Sequence, residues 1–154
     1  MESRMSTEAS GLVSLYPSVL GCWNRRAADD YAALFTEKCN LVGFDGSQID
    51  GRSEVAAHLR QIFADHPTAA YVGKVREVRF LAPEVAILRA VAGMVPPGQS
   101  DLNPAVNAIQ TMVATMHEGT WTIELFHNTP AAFHGRPDLS EQLTEELRAV
   151  LRGS

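Results

Sequence analysis

Past Ala69 the sequence becomes a run of four long strands, and no other feature constrains the chain's architecture as much. Tyr71 to Leu81, Val85 to Val95, Ala105 to His117 and Thr120 to Asn128 are rich in β-branched and aromatic residues. Pro83-Glu84, a loop from Pro96 to Pro104, and Glu118-Gly119 separate them, so the strands can meander antiparallel. In Val85 to Val95 both alternate faces are apolar: Ala86, Ala90 and Ala92 on one side, Val85, Ile87 and Val91 on the other. Neither face should be fully wet, so one is expected to cover helices and the other to meet a second subunit.

The helices come first. Leu12, Leu15, Tyr16, Val19, Leu20 and Trp23 recur at three- and four-residue spacing, which predicts a helix from about Gly11 to Arg26. Pro17 either kinks it or opens its regular part in the first-turn position. Asp30, Tyr31, Leu34 and Phe35 predict a short second helix capped by Asp29 or Asp30. Cys39 to Phe44 reads as a strand and Asp45-Gly46 as a two-residue hairpin turn. Ser53 is the expected N-cap of a third helix that buries Val55, Leu59, Ile62 and Phe63 and ends near His66-Pro67, with His58 beside that face. Pro137 and Asp138 open a last helix striped with Leu139, Leu143 and Leu147. Early helices and a late curved antiparallel sheet make an α+β domain.

The chain of 154 residues, 45% hydrophobic, has room for one domain with a real core and a modest cavity. That domain is expected over 11–152, with residues 1–10 disordered. Thirteen basic against eighteen acidic residues, with no Lys/Arg cluster, argue against nucleic acid and for a neutral or apolar ligand. No apolar run approaches the roughly 20 residues that span a bilayer and no signal peptide opens the chain, so a cytoplasmic protein without membrane contact is expected. Cys22 and Cys39 read as reduced packing residues.

Strict alternation in the last strand would put Trp121, Ile123, Leu125 and His127 on one face, an oily row ending in a titratable ring. A pocket wall with one polar handle has that form, and so does a buried histidine satisfied by a neighbour. Glu124 falls on the opposite face, and Asp45 is first a turn residue, though either carboxylate is a candidate acid or base. Asn107 and Gln110 lie on opposite faces of their strand; Asn107 is kept as a lower-ranked polar handle. Trp23, Tyr31, Phe35, Phe44, Phe63 and Tyr71 suit a core or a ligand box, and Met94 and Met112 are adaptable fillers of either. The loop from Pro96 to Pro104 suits a stiff lid, a dimer clasp or a plain connection. The sequence carries no nucleophile elbow, phosphate loop, dinucleotide glycine pattern or helical His pair, so neither a metal nor a cofactor is expected.

Several stretches together carry a resemblance. Trp121, Ile123, His127 and Thr129 match the last-strand pattern of the SnoaL-like branch of the nuclear-transport-factor-2-like superfamily. Trp23 to Phe35, Leu41 to Arg52, Asn103 to Thr111 and Asn128 to Pro137 resemble its SgcJ/EcaC family, over about Leu12 to Leu147. The resemblance implies a cone-shaped fold, a bent sheet wrapped around the helices and a central cavity, with a homodimer through the outer sheet face. It also implies an accessory role in enediyne antibiotic biosynthesis: binding an apolar polyene or polyketide intermediate, with cyclisation or proton transfer as the catalytic version. Fold relatives of the ketosteroid isomerase and SnoaL polyketide cyclase kinds use carboxylates or histidines in that cavity. His127 is then the expected acid/base, Asp45 a weaker one. The expected wall is Trp23, Tyr31, Phe35, Phe44, Met94, Asn107, Met112, Trp121 and His127. The alternative is a non-catalytic dimeric scaffold or carrier docking on the enediyne polyketide synthase.

Overall fold

Six strands form one curved sheet in the order β2-β1-β6-β5-β4-β3, with helices on both faces. The structure, a computed structural model, describes residues 2–153, and the side chains of residues 11–153. In chain order the elements are α1 (Glu2–Asn24), α2 (Ala28–Ala32), β1 (Phe35–Val42), β2 (Gln48–Asp50), α3 (Arg52–Asp65), β3 (Ala70–Ala82), β4 (Val85–Val95), a 3-10 turn (Pro104–Val106), β5 (Ala108–His117), β6 (Thr120–Pro130) and α4 (Pro137–Leu151). Neighbours pair antiparallel except β1 and β6, which run parallel. The expected α+β architecture is the one observed. Side chains of residues 1–10, on which the expectation of disorder falls, lie outside the described residues.

Local readings shift in physically simple ways. α1 runs through Pro17, which sits on its exposed side, rather than starting there. Phe35, assigned to the second helix by spacing, opens β1 instead, and α2 has no side-chain cap. The β1–β2 connection closes through Gly43 N–H to the Ser47 carbonyl, with positive φ at Gly46 alone, so it is wider than a two-residue turn. α3 starts one residue before Ser53, behind Gly51 at φ 93°, a backbone value that favours glycine. Part of the segment read as strand from Ala105 is the 3-10 turn, capped by the Asn103 side chain on the Ala105 N–H.

The inner sheet face and α1 to α3 enclose the main core, built on Leu12, Tyr16, Phe35, Val55, Leu88, Met112 and Ile123. On the outer face α4 buries Leu143 and Leu147 against Val91 and Leu102. That packing explains the two-sided apolarity of β4: part of its second face meets a helix of its own chain.

Ion pairs hold α4 down. Arg148 reaches both oxygens of Asp101 at 3.1 Å and also Glu145, while Glu146 pairs with Arg76 at 2.5 Å and Lys74 at 3.5 Å. Arg148's hydrogen bond, then the Leu102 N–H, holds the Asp101 carboxyl below its ordinary range, and Arg76 does the same for Glu146. Acids with depressed folded pKa values contribute stability above their unfolded pKa of about 4, and lose it as pH falls through the folded value. Asp101→Asn is therefore expected to lower the urea midpoint at pH 7, the difference from wild type shrinking as the pH falls below about 4.

Candidate functional site

A cavity of about 410 Å³ opens between α1, α2, α3, the β1–β2 hairpin and the inner sheet face. Its wall is mostly apolar, formed by side chains such as Leu20, Trp23, Phe44, Ile62, Met94 and Phe126. Val19, Leu20 and Trp23 of α1 and Tyr71, Met94, Gln110 and Phe126 of β3 to β6 point into the same space.

A polar chain crosses the sheet side of this space. The Tyr16 hydroxyl donates to Gln110 Oε1 at 2.5 Å, Gln110 Nε2 donates to Asn128 Oδ1 at 3.3 Å, and Asn128 Nδ2 donates to the Tyr71 hydroxyl oxygen at 3.3 Å. Gln110 is 2% exposed, so its hydrogen bonding within the protein offsets the cost of burial. Burial pushes the phenols of Tyr16, Tyr31 and Tyr71 upward, although the bond from Asn128 opposes this at Tyr71; all three stay neutral at ordinary pH.

The end of α1 is stitched to the start of β3. Trp23 Nε1 donates to the Ala69 carbonyl at 2.9 Å, and its ring meets Phe63 and Tyr71 edge-on with centroids 5.2 and 5.4 Å apart. Asn24 accepts from the Tyr71 N–H at 2.7 Å and donates to its carbonyl at 3.1 Å. Arg26 bonds the Phe63 and His66 carbonyls at the end of α3 and stacks over Phe63. These contacts fix the helix junction that forms the cavity's edge.

At the mouth, Asp45 and His58 line the cavity from the hairpin and from α3. The Ser47 N–H donates to Asp45 Oδ1 at 3.0 Å, and this bond leads the causes that lower the carboxyl's pKa. Asp45 is thus both the turn residue read from sequence and an ionised group at the opening.

Of the expected wall, Trp23, Tyr31, Phe44 and Met94 line the cavity, as does Asp45, the weaker acid/base candidate. His127 does not, and the reason is a β-bulge. β5 and β6 stay in register at Val113 with Leu125 and at Ala114 with Ile123, so Glu124 is an extra residue in β6. Alternation restarts after it: Trp121 and Ile123 face inward, and then Phe126 and Asn128 do, leaving Leu125 and His127 on the outer face. There His127 Nε2 donates to Asn40 Oδ1 at 3.0 Å, and Asn40 Nδ2 donates to Asp50 at 2.8 Å.

The remaining expected wall residues lie elsewhere. Phe35 and Met112, 0% and 1% exposed, are closed into the main core. Trp121 packs its ring on Phe80 at 5.8 Å with its buried Nε1 unpartnered. Asn107 sits under α4, its Nδ2 donating to Thr144 Oγ1 at 2.9 Å. Gln110, not Asn107, is the amide of β5 that reaches the cavity. Parity with Met112 was the signal for it, since an inward polar side chain among core residues must find a polar partner. Among the described residues no group of three or more His, Cys, Asp and Glu is placed to hold a metal ion, and no helix is long and apolar enough to cross a membrane.

No protein-family model and no curated protein matches this sequence. Solved structures do. A domain of unknown function with a cystatin-like fold from Nostoc punctiforme superposes with TM-score 0.78 at 24% identity, over 96% of this chain and 98% of that one. A candidate scytalone dehydratase from Novosphingobium aromaticivorans gives 0.71 at 14% identity, over 85% and 89%. A ketosteroid isomerase-like protein from Erwinia carotovora atroseptica gives 0.63 at 15%, over 80% and 95%. At these identities the likeness establishes the shared architecture and not the SgcJ/EcaC branch: the chain has the cystatin-like, nuclear-transport-factor-2-like fold.

Proposed function

We propose that this protein binds a largely apolar, uncharged small molecule in its cavity and serves polyketide assembly as an accessory, the enediyne class being the one its SgcJ/EcaC resemblance points to. One observation carries the binding part: a cavity of about 410 Å³ with a greasy wall, a neutral polar chain on one side and no Lys or Arg lining it. Such pockets take up apolar skeletons by removing them from water and orient them through few polar groups. Fold neighbours named as a candidate scytalone dehydratase and a ketosteroid isomerase-like protein are in keeping with a small-molecule ligand in the cavity. In this reading the protein is cytoplasmic and pairs as a homodimer through the part of the outer sheet face that α4 leaves uncovered, where Val113, Leu125 and His127 are half-buried. That surface is also the place for docking to a polyketide synthase.

Titration with a conjugated polyene, followed by quenching of tryptophan fluorescence in a Trp121→Phe background that leaves Trp23 as the emitter, tests the binding. Saturable quenching at one site per chain is expected; a linear response up to the solubility limit of the polyene would end the proposal. His127→Ala is expected to leave this affinity within about twofold, because the ring lies on the other side of the sheet. A second reading, proton transfer at the mouth, is favoured by Asp45 and His58 lining the same cavity, with Asp45 held ionised. His58→Gln separates the two: unchanged binding with loss of turnover on a supplied polyketide would establish catalysis.

A further inference from the structure

We infer that Tyr71 is the ligand-orienting donor of the cavity, and that its hydroxyl selects a neutral ketone-type carbonyl over a carboxylate on the same apolar skeleton. The inference rests on the binding reading above and names the chemistry of what is bound.

The polar chain has a direction. A carboxamide oxygen only accepts and its nitrogen only donates, so the bond from the Tyr16 hydroxyl to Gln110 Oε1 orders everything after it. Gln110 must offer Nε2 to Asn128 Oδ1, and Asn128 must offer Nδ2 to the Tyr71 oxygen. At this last station the phenol accepts, and its own hydrogen is not used by the chain. Tyr16 has no such freedom, since its hydrogen is committed to Gln110. Tyr71 lines the cavity, so the unused hydrogen belongs to the space where a ligand would lie.

Preorganisation supports the same assignment. Asn24 grips both backbone polar groups of Tyr71, and Trp23 packs edge-on against its ring. A donor held this way loses little freedom when a ligand arrives, which is where orienting contacts gain their strength. Charge then sets the selectivity. The lining contains no Lys or Arg, and the one carboxylate in it, Asp45, stands at the mouth. A carboxylate ligand would lose its hydration, find no Lys or Arg to pair with and pass the Asp45 charge, whereas a ketone needs one hydrogen bond.

The test uses the full chain and three probes of one length: a conjugated polyene methyl ketone, the matching hydrocarbon and the matching carboxylate. The ketone is expected to bind about tenfold more tightly than the carboxylate, and Tyr71→Phe to weaken the ketone about tenfold while leaving the hydrocarbon within about twofold. The infrared carbonyl stretch of the bound ketone is expected to lie below its value in a hydrocarbon solvent, and to rise to that value in Tyr71→Phe. The wild-type spectrum needs no variant, so it decides the matter even should Tyr71→Phe fail to fold. An unshifted stretch, equal losses for ketone and hydrocarbon, or a carboxylate that binds as well as the ketone would overturn the inference while leaving cavity binding intact. Failure of all three probes to bind would remove the binding reading itself, and this inference with it.

Discussion

Gly73→Ala is expected to lower stability by about 2–3 kcal/mol, read as a fall of roughly 4–12 °C in Tm. A methyl group on Gly73 would lie 2.4 Å from the Tyr16 hydroxyl, 2.9 Å from Tyr16 Cε2 and 2.7 Å from Leu20 Cδ1. None of those atoms has an easy way out. Tyr16 is 2% exposed with its hydroxyl tied to Gln110, and Leu20 is 8% exposed on the same helix face. Relief requires α1 to back away from β3, which loosens the core and the polar chain together. In a Tyr16→Phe background the penalty is expected to shrink without vanishing, because the hydroxyl clash goes but the Cε2 and Leu20 contacts stay. A urea double-mutant cycle measures that coupling. Full-sized destabilisation in both backgrounds would mean that the hydroxyl is not what Gly73 makes room for.

Why that glycine is needed was not legible in the sequence, although the strand around it was. Periodicity reports which face of an element is apolar, and it placed α1, α3, α4 and the four long strands because each buries a continuous stripe. It cannot report how closely two stripes approach, so the contact between Gly73 and Tyr16 exists only once α1 lies on β3. The site shows the same division. Trp23, Tyr31, Phe44 and Met94 reach the cavity wall because each sits on an inward stripe close to the open end. Strict alternation misplaces His127 by one residue of parity: a single inserted position at Glu124 reverses every later side chain in β6, and no residue type marks that bulge. Asn128, the next residue, faces inward in its place and completes the polar chain. Phe35 carries a further lesson, since the second helix ends at Ala32 and hands it to β1, which turns a helix-face aromatic into a strand-face one.

Phe35→Ala is accordingly the variant that separates core from wall. The ring is 0% exposed, stacks on Tyr31 with centroids 5.4 Å apart and meets Phe126 at 6.4 Å. Its backbone carbonyl accepts from Arg52 Nε at 2.9 Å, so the strand start is pinned and cannot follow a shrunken side chain inward. An unrelaxed void of this kind costs about 3–5 kcal/mol, or roughly 6–20 °C in Tm for a chain of this size. Phe44→Ala offers the contrast. Phe44 lines the cavity and is half-buried, so its truncation widens a space that is already open and is expected to cost about 1 kcal/mol while weakening polyene binding. Thermal unfolding and polyene titration on the two proteins give opposite rankings if the cavity is where the helix–sheet sandwich opens. Were Phe35→Ala to retain full stability, the space beside Tyr31 would have to be part of the hollow, and the cavity would reach past α2 into what is here packed core.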